Sequence, residues 1–442
     1  MKKICILLVF LFLCTACSNG AADTPVDTKE LFKNESNTLT VSIFLDPDFE
    51  KKIQPFKDAY PDVEIIINDY GKDFTDVKDF DAKIANYQQQ MQLQLMSGTA
   101  DDVICNSGFL PYDQFSERGL LLDLKQLMEH DPDFNKEEYF IRIFEAMEYG
   151  GGVYAFPSRF LPRFVTVNKS LSDFGERDGI SMLEMIDFYN STSEKSGLYL
   201  EENFQPIYAV IDEYKYYIDF EKRTCDFNNE DFIKRLQLYK AAEEPVKATD
   251  IYYALSDLEA SMKYMFREIS SDGIQYFLPY EENHFANPMP LTDRNGNIMI
   301  SSYDSCSIYS GSKNKGLAWE LVQYLVSEDA VVRDLQTHAG GGQLYFPTNK
   351  NAFEQLAKVS VLSYITWAQK NKVILAGDKD EHAQNVVELF KKYFEMPMTS
   401  PHSMQVLQFM IYEECEMFFN GLNTAEQTAY NIQQKVSVYL QE

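Results

Sequence analysis

Between residues 38 and 130 the apolar pattern switches repeatedly between two periods, and that switching restricts the chain to few folds. Thr38 to Leu45 alternates and is rich in β-formers, which predicts a first core strand. Asp46-Pro47-Asp48 breaks it. Phe49, Ile53, Phe56 and Tyr60 then recur at three- and four-residue spacing, one face of a helix that Pro61 ends. Val63 to Ile67 predicts a second strand, Phe80 to Met96 a long helix stopped by Ser97-Gly98, and Asp102 to Cys105 a short buried third strand. Tyr112 to Gly119 reads as a helix and turn, and Leu120 to His130 as an apolar stretch leading into another helix. Strand, helix, strand, helix, strand predicts a parallel sheet with right-handed crossovers. Ligands of such sheets sit beyond the carboxyl ends of the strands, so two loops stand out. One presents Asp46, the other Asn106 and Ser107. These side chains suit a polar ligand, and they equally suit turns and helix caps.

The stretch Gly150 to Leu171 (GGGVYAFPSRFLPRFVTVNKSL) follows, three glycines and then strand formers. It reads as the first crossing between two lobes, with a ligand cleft beside it. A chain of 442 residues exceeds one ordinary core and suits two lobes of roughly 150–220 residues each. Farther on, Ser181–Tyr189, Asp231–Glu243 and Leu255–Arg267 have helical spacing, and Ile274–Leu278 reads as a strand. The turn Asp293-Arg294-Asn295-Gly296 precedes a strand from Asn297 to Ser301. Ile298 stands where a calcium loop needs glycine, so this is a hairpin turn. Leu317–Leu325 is an apolar helix carrying Trp319, and Val386 onward is helical apart from a break between Met396 and His402. Two further crossings are expected near Tyr280–Tyr303 and Tyr345–Phe353.

At the N-terminus, Lys2 and Lys3 precede a short apolar run, Ile4 to Leu13, too short to span a bilayer, so residues 1–16 read as a signal peptide. Leu13-Cys14-Thr15-Ala16-Cys17 resembles a bacterial lipobox, which implies that Cys17 is lipidated. Cys14 departs from the commoner leucine at its place. Residues 17–37, poor in large apolar side chains, suit a flexible leash. Cys105, Cys225, Cys306 and Cys415 follow no framework spacing, and their apolar settings favour mostly unpaired, buried thiols.

Several segments together resemble family 1 extracellular solute-binding proteins, the receptors of ABC importers that include maltodextrin-binding proteins. They are FKDAYPDVEI, LQLMSGTADDVI, ERGLLLDL, GGVYAFP, VTVNKSL, the run IYSGSKNKGLAWELVQYLVSEDA and the tail AEQTAYNIQQKVSVYL. The resemblance covers nearly the whole mature chain and is weakest between about Ser191 and Tyr280. It implies a two-lobed, periplasmic-binding-protein-like α/β fold, each lobe a mostly parallel sheet flanked by helices, joined by about three crossings. Residues 38–155 and 290–349 would form the first lobe, and 156–289 and 350–442 the second. It also implies a monomeric, lipid-anchored receptor on the outer face of the cell membrane, or its periplasmic side. Such a receptor captures a mono- or oligosaccharide by hinge closure and hands it to permease subunits, without cofactor or metal. The glutamate expected in the crossing strand of maltodextrin-binding relatives has no counterpart between Pro157 and Val165, which speaks against a maltodextrin ligand.

Composition narrows the classes. Formal net charge is −28, or −30 for 38 basic against 68 acidic residues once Lys2 and Lys3 are removed, and such a surface repels nucleic acid and anionic lipid. No GxSxG elbow, phosphate loop or dinucleotide fingerprint occurs, so no enzyme is expected. A secreted enzyme or an adhesion lipoprotein on the same fold is the rival reading; a peptide or polyamine is the rival ligand. With 28 Tyr, 32 Phe and two Trp, stacking on sugar faces would fall to tyrosine and phenylalanine. Position singles out Arg159, Phe160 and Arg163 after the first crossing, with Arg163 an unusual charge between Pro162 and an apolar strand. Tyr303 and Asp304 on the returning strand, Tyr345 near the last crossing, and Arg267 at a helix end complete the candidates beside Asp46, Asn106 and Ser107.

Overall fold

The computed structural model describes residues 27–72, 80–105, 110–167, 177–191, 206–220, 222–243, 266–269, 288–337, 346–370, 378–400 and 405–441. A short helix α1 (Thr28–Leu31) leads into β1 (Thr38–Ile43). The helix expected next is split into α2 (Phe49–Lys52) and α3 (Gln54–Ala59), since Pro55 has no N–H with which to continue the first. Then come β2 (Glu64–Asp69), α4 (Phe80–Ser97), β3 (Val103–Cys105), α5 (Tyr112–Glu117), α6 (Leu124–His130) and α7 (Ile141–Ala146). The glycine-led stretch forms β4 (Phe156–Pro162) and β5 (Phe164–Val167), separated only by Arg163. Next are β6 (Ile180–Ser181), α8 (Met182–Ser191), α9 (Pro206–Glu213), the paired β7 (Ile218–Asp219) and β8 (Thr224–Cys225), α10 (Glu230–Glu243) and β9 (Phe266–Ile269). β10 (Met289–Thr292) and β11 (Ile298–Ile308) precede α11 (Lys315–Val326), α12 (Glu328–Thr337) and β12 (Phe346–Pro347). The chain closes with α13 (Lys350–Lys370), α14 (Lys379–Phe394), β13 (Met398–Thr399), α15 (Gln405–Phe419) and α16 (Ala425–Tyr439).

β1 pairs in parallel with β2 and β3, as the alternation of strand and helix requires. β11 joins antiparallel to β3 and β4, and the sheet order runs β2-β1-β3-β11-β10-β5-β9. Farther along, β6–β10 and β11–β13 are parallel while β5–β10 and β5–β9 are antiparallel. β11 is the shared member. Its last residues, Cys306 to Ile308, lie against β3; its first, Ile298 and Met299, lie against β13; and β4 runs beside it from Ile300 to Cys306.

Four apolar cores follow this layout. β1, β3, α6 and α11 enclose one, where Trp319 stacks on Phe156 and donates to Asp131 at 2.7 Å. A second, around Phe44, Tyr87 and Phe115, covers the other face of the first sheet. α8 to α10 with α15 and α16 enclose a third. The fourth is a cage of phenylalanines from α7, β4, β12, α13 and α14. Each fully buried Phe there contributes roughly 1.5–3 kcal/mol. α16 begins with a capping box, Thr424 accepting from the Gln427 N–H while Gln427 returns the bond.

The Asp293 turn is a hairpin turn: its Oδ1 accepts from the N–H groups of Asn295 and Asn297, and Gly296 takes a φ of 80°. One expectation is corrected. Arg267 does not end a helix but lies on β9, paired antiparallel with Thr166. A run as short as Phe266–Ile269 cannot decide between periods by itself, and the open edge of β5 decides for strand. The expected strand at 274–278 and the N-terminal signal lie outside the described residues.

Candidate functional site

β4 alternates as a strand must. Phe160 and Phe164 turn into the phenylalanine cage, and Phe160 is fully buried, 4.8 Å from Phe394 and 6.1 Å from Phe346 between ring centroids. Its ring serves the core. Arg159, Leu161 and Arg163 fall on the opposite, less buried face, and each arginine anchors a polar network.

The first network lies beyond the carboxyl end of β1. Lys52 Nζ donates to Asp46 at 2.8 Å and reaches Asp334 of α12 at 3.3 Å. Asp334 lies 3.6 Å from Arg159, whose guanidinium closes onto Asp304 of β11. Burial works against the Lys52 charge, but Asp46 and Asp334 more than offset it and hold its pKa above the ordinary lysine value. Three carboxylates face two cations, so the cluster keeps one net negative charge and favours ligands that bring hydrogen-bond donors. Two non-glycine residues with positive φ flank it, Leu45 at 58° and Asp304 at 50°. Each such conformation costs on the order of 1–3 kcal/mol and tends to collect at functional sites. Gly71 makes the first possible, since a Cβ there would come within 2.6 Å of the Leu45 nitrogen.

The second network bridges α5 and the helices of the third core. Arg163 donates to Asp212 of α9 at 2.8 Å, which gives the charge next to Pro162 its partner. Lys215, just after α9, donates to the Ser400 carbonyl at 2.5 Å and feels Asp113, Asp212 and Asp293. Burial lowers its pKa to about 8 despite these acids. Asp113 of α5 is 2% exposed, its Oδ1 has no hydrogen-bond partner among the described residues, and burial raises its pKa to about 6. Around it stand Tyr214, whose buried hydroxyl also lacks a partner among the described residues, Tyr149, bonded to Glu117, and Tyr439, which accepts from Gln114 at 3.3 Å. Buried polar atoms of this kind are ordinarily satisfied, so this nest of an acid and tyrosines is costly to bury.

Of the residues picked out in the sequence, Asp46, Arg159 and Asp304 meet in the first network, and half-buried Tyr303 pairs with Arg159 across the β4–β11 ladder. Arg163 belongs to the second network. Phe160 belongs to neither, and Arg267 is fixed only as part of β9. Asn106, Ser107 and Tyr345 lie outside the described residues. The sequence reading missed Lys52, Asp334, Asp113, Tyr214 and Lys215. Lys52, Asp334 and Asp113 sit on helices whose charges look like solvent-facing ones, and Tyr214 is one tyrosine among 28. Lys215, set in Tyr-Lys-Tyr-Tyr, carried the one readable signal, a charge inside an aromatic run. The neighbouring carboxylates Asp101 and Asp102 precede β3, at the other edge of the sheet. There they accept from Ser42, Asn68, Thr40 and Ser312 and tie strands together.

This architecture is a periplasmic-binding-protein-like fold. The sugar-binding protein MalE of Xanthomonas citri superposes with a TM-score of 0.60 at 14% identity, over 91% of this chain and 97% of that one. The family 1 extracellular solute-binding protein of Alicyclobacillus acidocaldarius gives 0.55 at 15% identity, over 92% and 98%. The GacH receptor of Streptomyces glaucescens, solved unliganded and with acarbose, gives 0.52 at 16% identity, over 92% and 98%. No family model and no curated protein matches the sequence itself. These structural neighbours are binding proteins rather than enzymes.

Proposed function

We propose that this chain is the substrate-binding receptor of an ABC importer and captures a mono- or oligosaccharide by hinge closure. Residues 38–155 with 290–349 form one lobe, and 156–289 with 350–442 the other. Residues 1–16 are the signal peptide, Cys17 carries the lipid, and residues 17–37 are the leash that leaves the domain free outside the membrane. One observation carries the reading. On a binding-protein fold, Asp46, Arg159, Asp304 and Asp334 converge from a loop, strands β4 and β11 and a helix at the carboxyl end of β1. Planar carboxylates and a guanidinium in one cluster match the paired donors and acceptors of vicinal sugar hydroxyls. The ligand's preference for the closed form supplies the free energy of closure.

Thermal denaturation against a panel of mono- and oligosaccharides tests this. A saccharide at a hundredfold over its Kd should raise Tm, through about 2.7 kcal/mol of linkage. Arg159→Ala should abolish that rise while the protein stays folded. A panel with no stabilising saccharide, beside a peptide or polyamine that does stabilise, would replace the sugar by that ligand. No stabilising compound of any class would refute the receptor reading.

A further inference from the structure

Cys105 and Cys306 stand directly opposite each other where β3 and β11 pair antiparallel. The Tyr309 N–H donates to the Asp102 carbonyl, so Tyr309 and Asp102 form a hydrogen-bonded pair of this ladder. Hydrogen-bonded pairs alternate with non-bonded ones, so Ser307 and Ile104 are bonded, while Cys306 and Cys105 are a non-bonded pair. Non-bonded pairs bring their Cα atoms to about 4.5 Å with side chains on the same face, inside the span of roughly 4.4–6.8 Å that a disulfide requires. The two sulfurs are already 3.4 Å apart, both inside the core under the first sheet. Cys225 and Cys415 have no such opposite number: Cys225 contacts Ser437 and Gln433, and Cys415 is buried in the third core.

From this pairing we infer that Cys105 and Cys306 are a redox site, a dithiol that oxidises to a cross-strand disulfide joining β3 to β11. The oxidant is a disulfide compound such as oxidised glutathione or the active disulfide of a thiol oxidase. The thiolate of one cysteine attacks it, giving a mixed disulfide and releasing one thiolate. The thiolate of the second cysteine then attacks the protein-bound sulfur, closing the Cys105–Cys306 bond and releasing the second thiolate. The two released thiolates take up the two protons that the cysteines gave up, and the oxidant ends as two thiols. Both groups are nearly inaccessible in the folded chain, and the neighbouring Cys306 together with burial pushes the Cys105 thiol well up. Attack is therefore slow once β3 and β11 have closed, and the bond forms as the strands come together during folding.

The bond would sit at a chosen place. β3 ends at Cys105, and Cys306 is two residues beyond Asp304. Oxidation would close a loop of 201 residues and pin the carboxyl edge of the first sheet to the strand that carries Asp304.

The full chain, unfolded with reductant and refolded in oxidised glutathione, is blocked with an alkylating agent and digested without reduction. Mass spectrometry should find the Cys105 and Cys306 peptides linked in most molecules. The link should be absent from Cys105→Ser and retained in Cys225→Ser and Cys415→Ser. The same oxidant added to the native protein should link them at least tenfold more slowly. Alkylated Cys105 and Cys306 after oxidative refolding would overturn the inference, as would a link from either to Cys225 or Cys415. Cys306→Ala is tested beside Cys105→Ser as a second variant, and the wild-type peptide map decides without either.

Discussion

Replacing Asp113 by asparagine should stabilise the protein, and the structure sets the size of the effect. The carboxyl is 2% exposed on α5, with one oxygen unpartnered among the described residues, and burial moves its pKa from the ordinary 3.8 to about 6. Between those two values the folded chain holds a proton that the unfolded chain has released. Stability therefore falls as pH rises through that window, and above about 6 the full cost is present. The gap corresponds to roughly 3 kcal/mol, an upper figure for a group that can relax toward Lys215. Asparagine has the shape of the neutral acid and no charge, so Asp113→Asn should gain about 2–3 kcal/mol at pH 7.5 and almost nothing at pH 4. Urea denaturation of both proteins at pH 4, 5, 6 and 7.5 measures it directly. The wild-type curve should slope down between pH 4 and 6.5, and that component of the slope should vanish in the variant. If Asp113→Asn were less stable than wild type at pH 7.5, the ionised carboxylate would be a net contributor there and the account of the nest as a strained acid would fail. A gain in stability with a loss of saccharide binding would mark a side chain kept for its ligand.

Other substitutions probe other parts of the site and frame. Arg163→Met leaves Asp212, 6% exposed, without its guanidinium, and should cost about 3 kcal/mol in urea unfolding. The double variant Arg163→Met, Asp212→Asn should recover most of it. Tyr214→Phe removes a buried hydroxyl that bonds to none of the described residues, so stability should stay level or rise by up to about 1 kcal/mol, read as a Tm no lower than wild type. Thr424→Ala breaks the capping box of α16 and should cost about 1 kcal/mol, seen as a lower urea midpoint at unchanged slope.

The frame was readable where one period ran undisturbed. β1, α4 and β3 lie within a residue or two of their expected limits, since each is long enough, or apolar enough, for its pattern to dominate. The strands β4 and β5 were also legible, and Arg159 and Arg163 stood out because charges rarely interrupt such a run. Phe160 could have been separated from them by the strand period alone, which sends it to the opposite face. Pro55 likewise carried the signal that splits α2 from α3. What sequence spacing could not reveal is distance. Lys52 and Asp334 are 282 positions apart, and Asp113 meets Lys215 only because α5 packs toward the region after α9. Such pairs are made by topology, and a local pattern holds no trace of them.

The β4–β11 ladder has a mechanical consequence. From Ile300 to Cys306 the paired strands resist stretching and sliding along their length, and β12 stiffens the ladder further beside Phe160 and Arg159, so twist is the motion it opposes least. If the two proposed lobes rotate about this ladder, the axis runs past Arg159. A ligand held there would sit where the lever arm is shortest and would hardly move. The outer faces of the helices, at the long end of the same lever, would sweep the farthest.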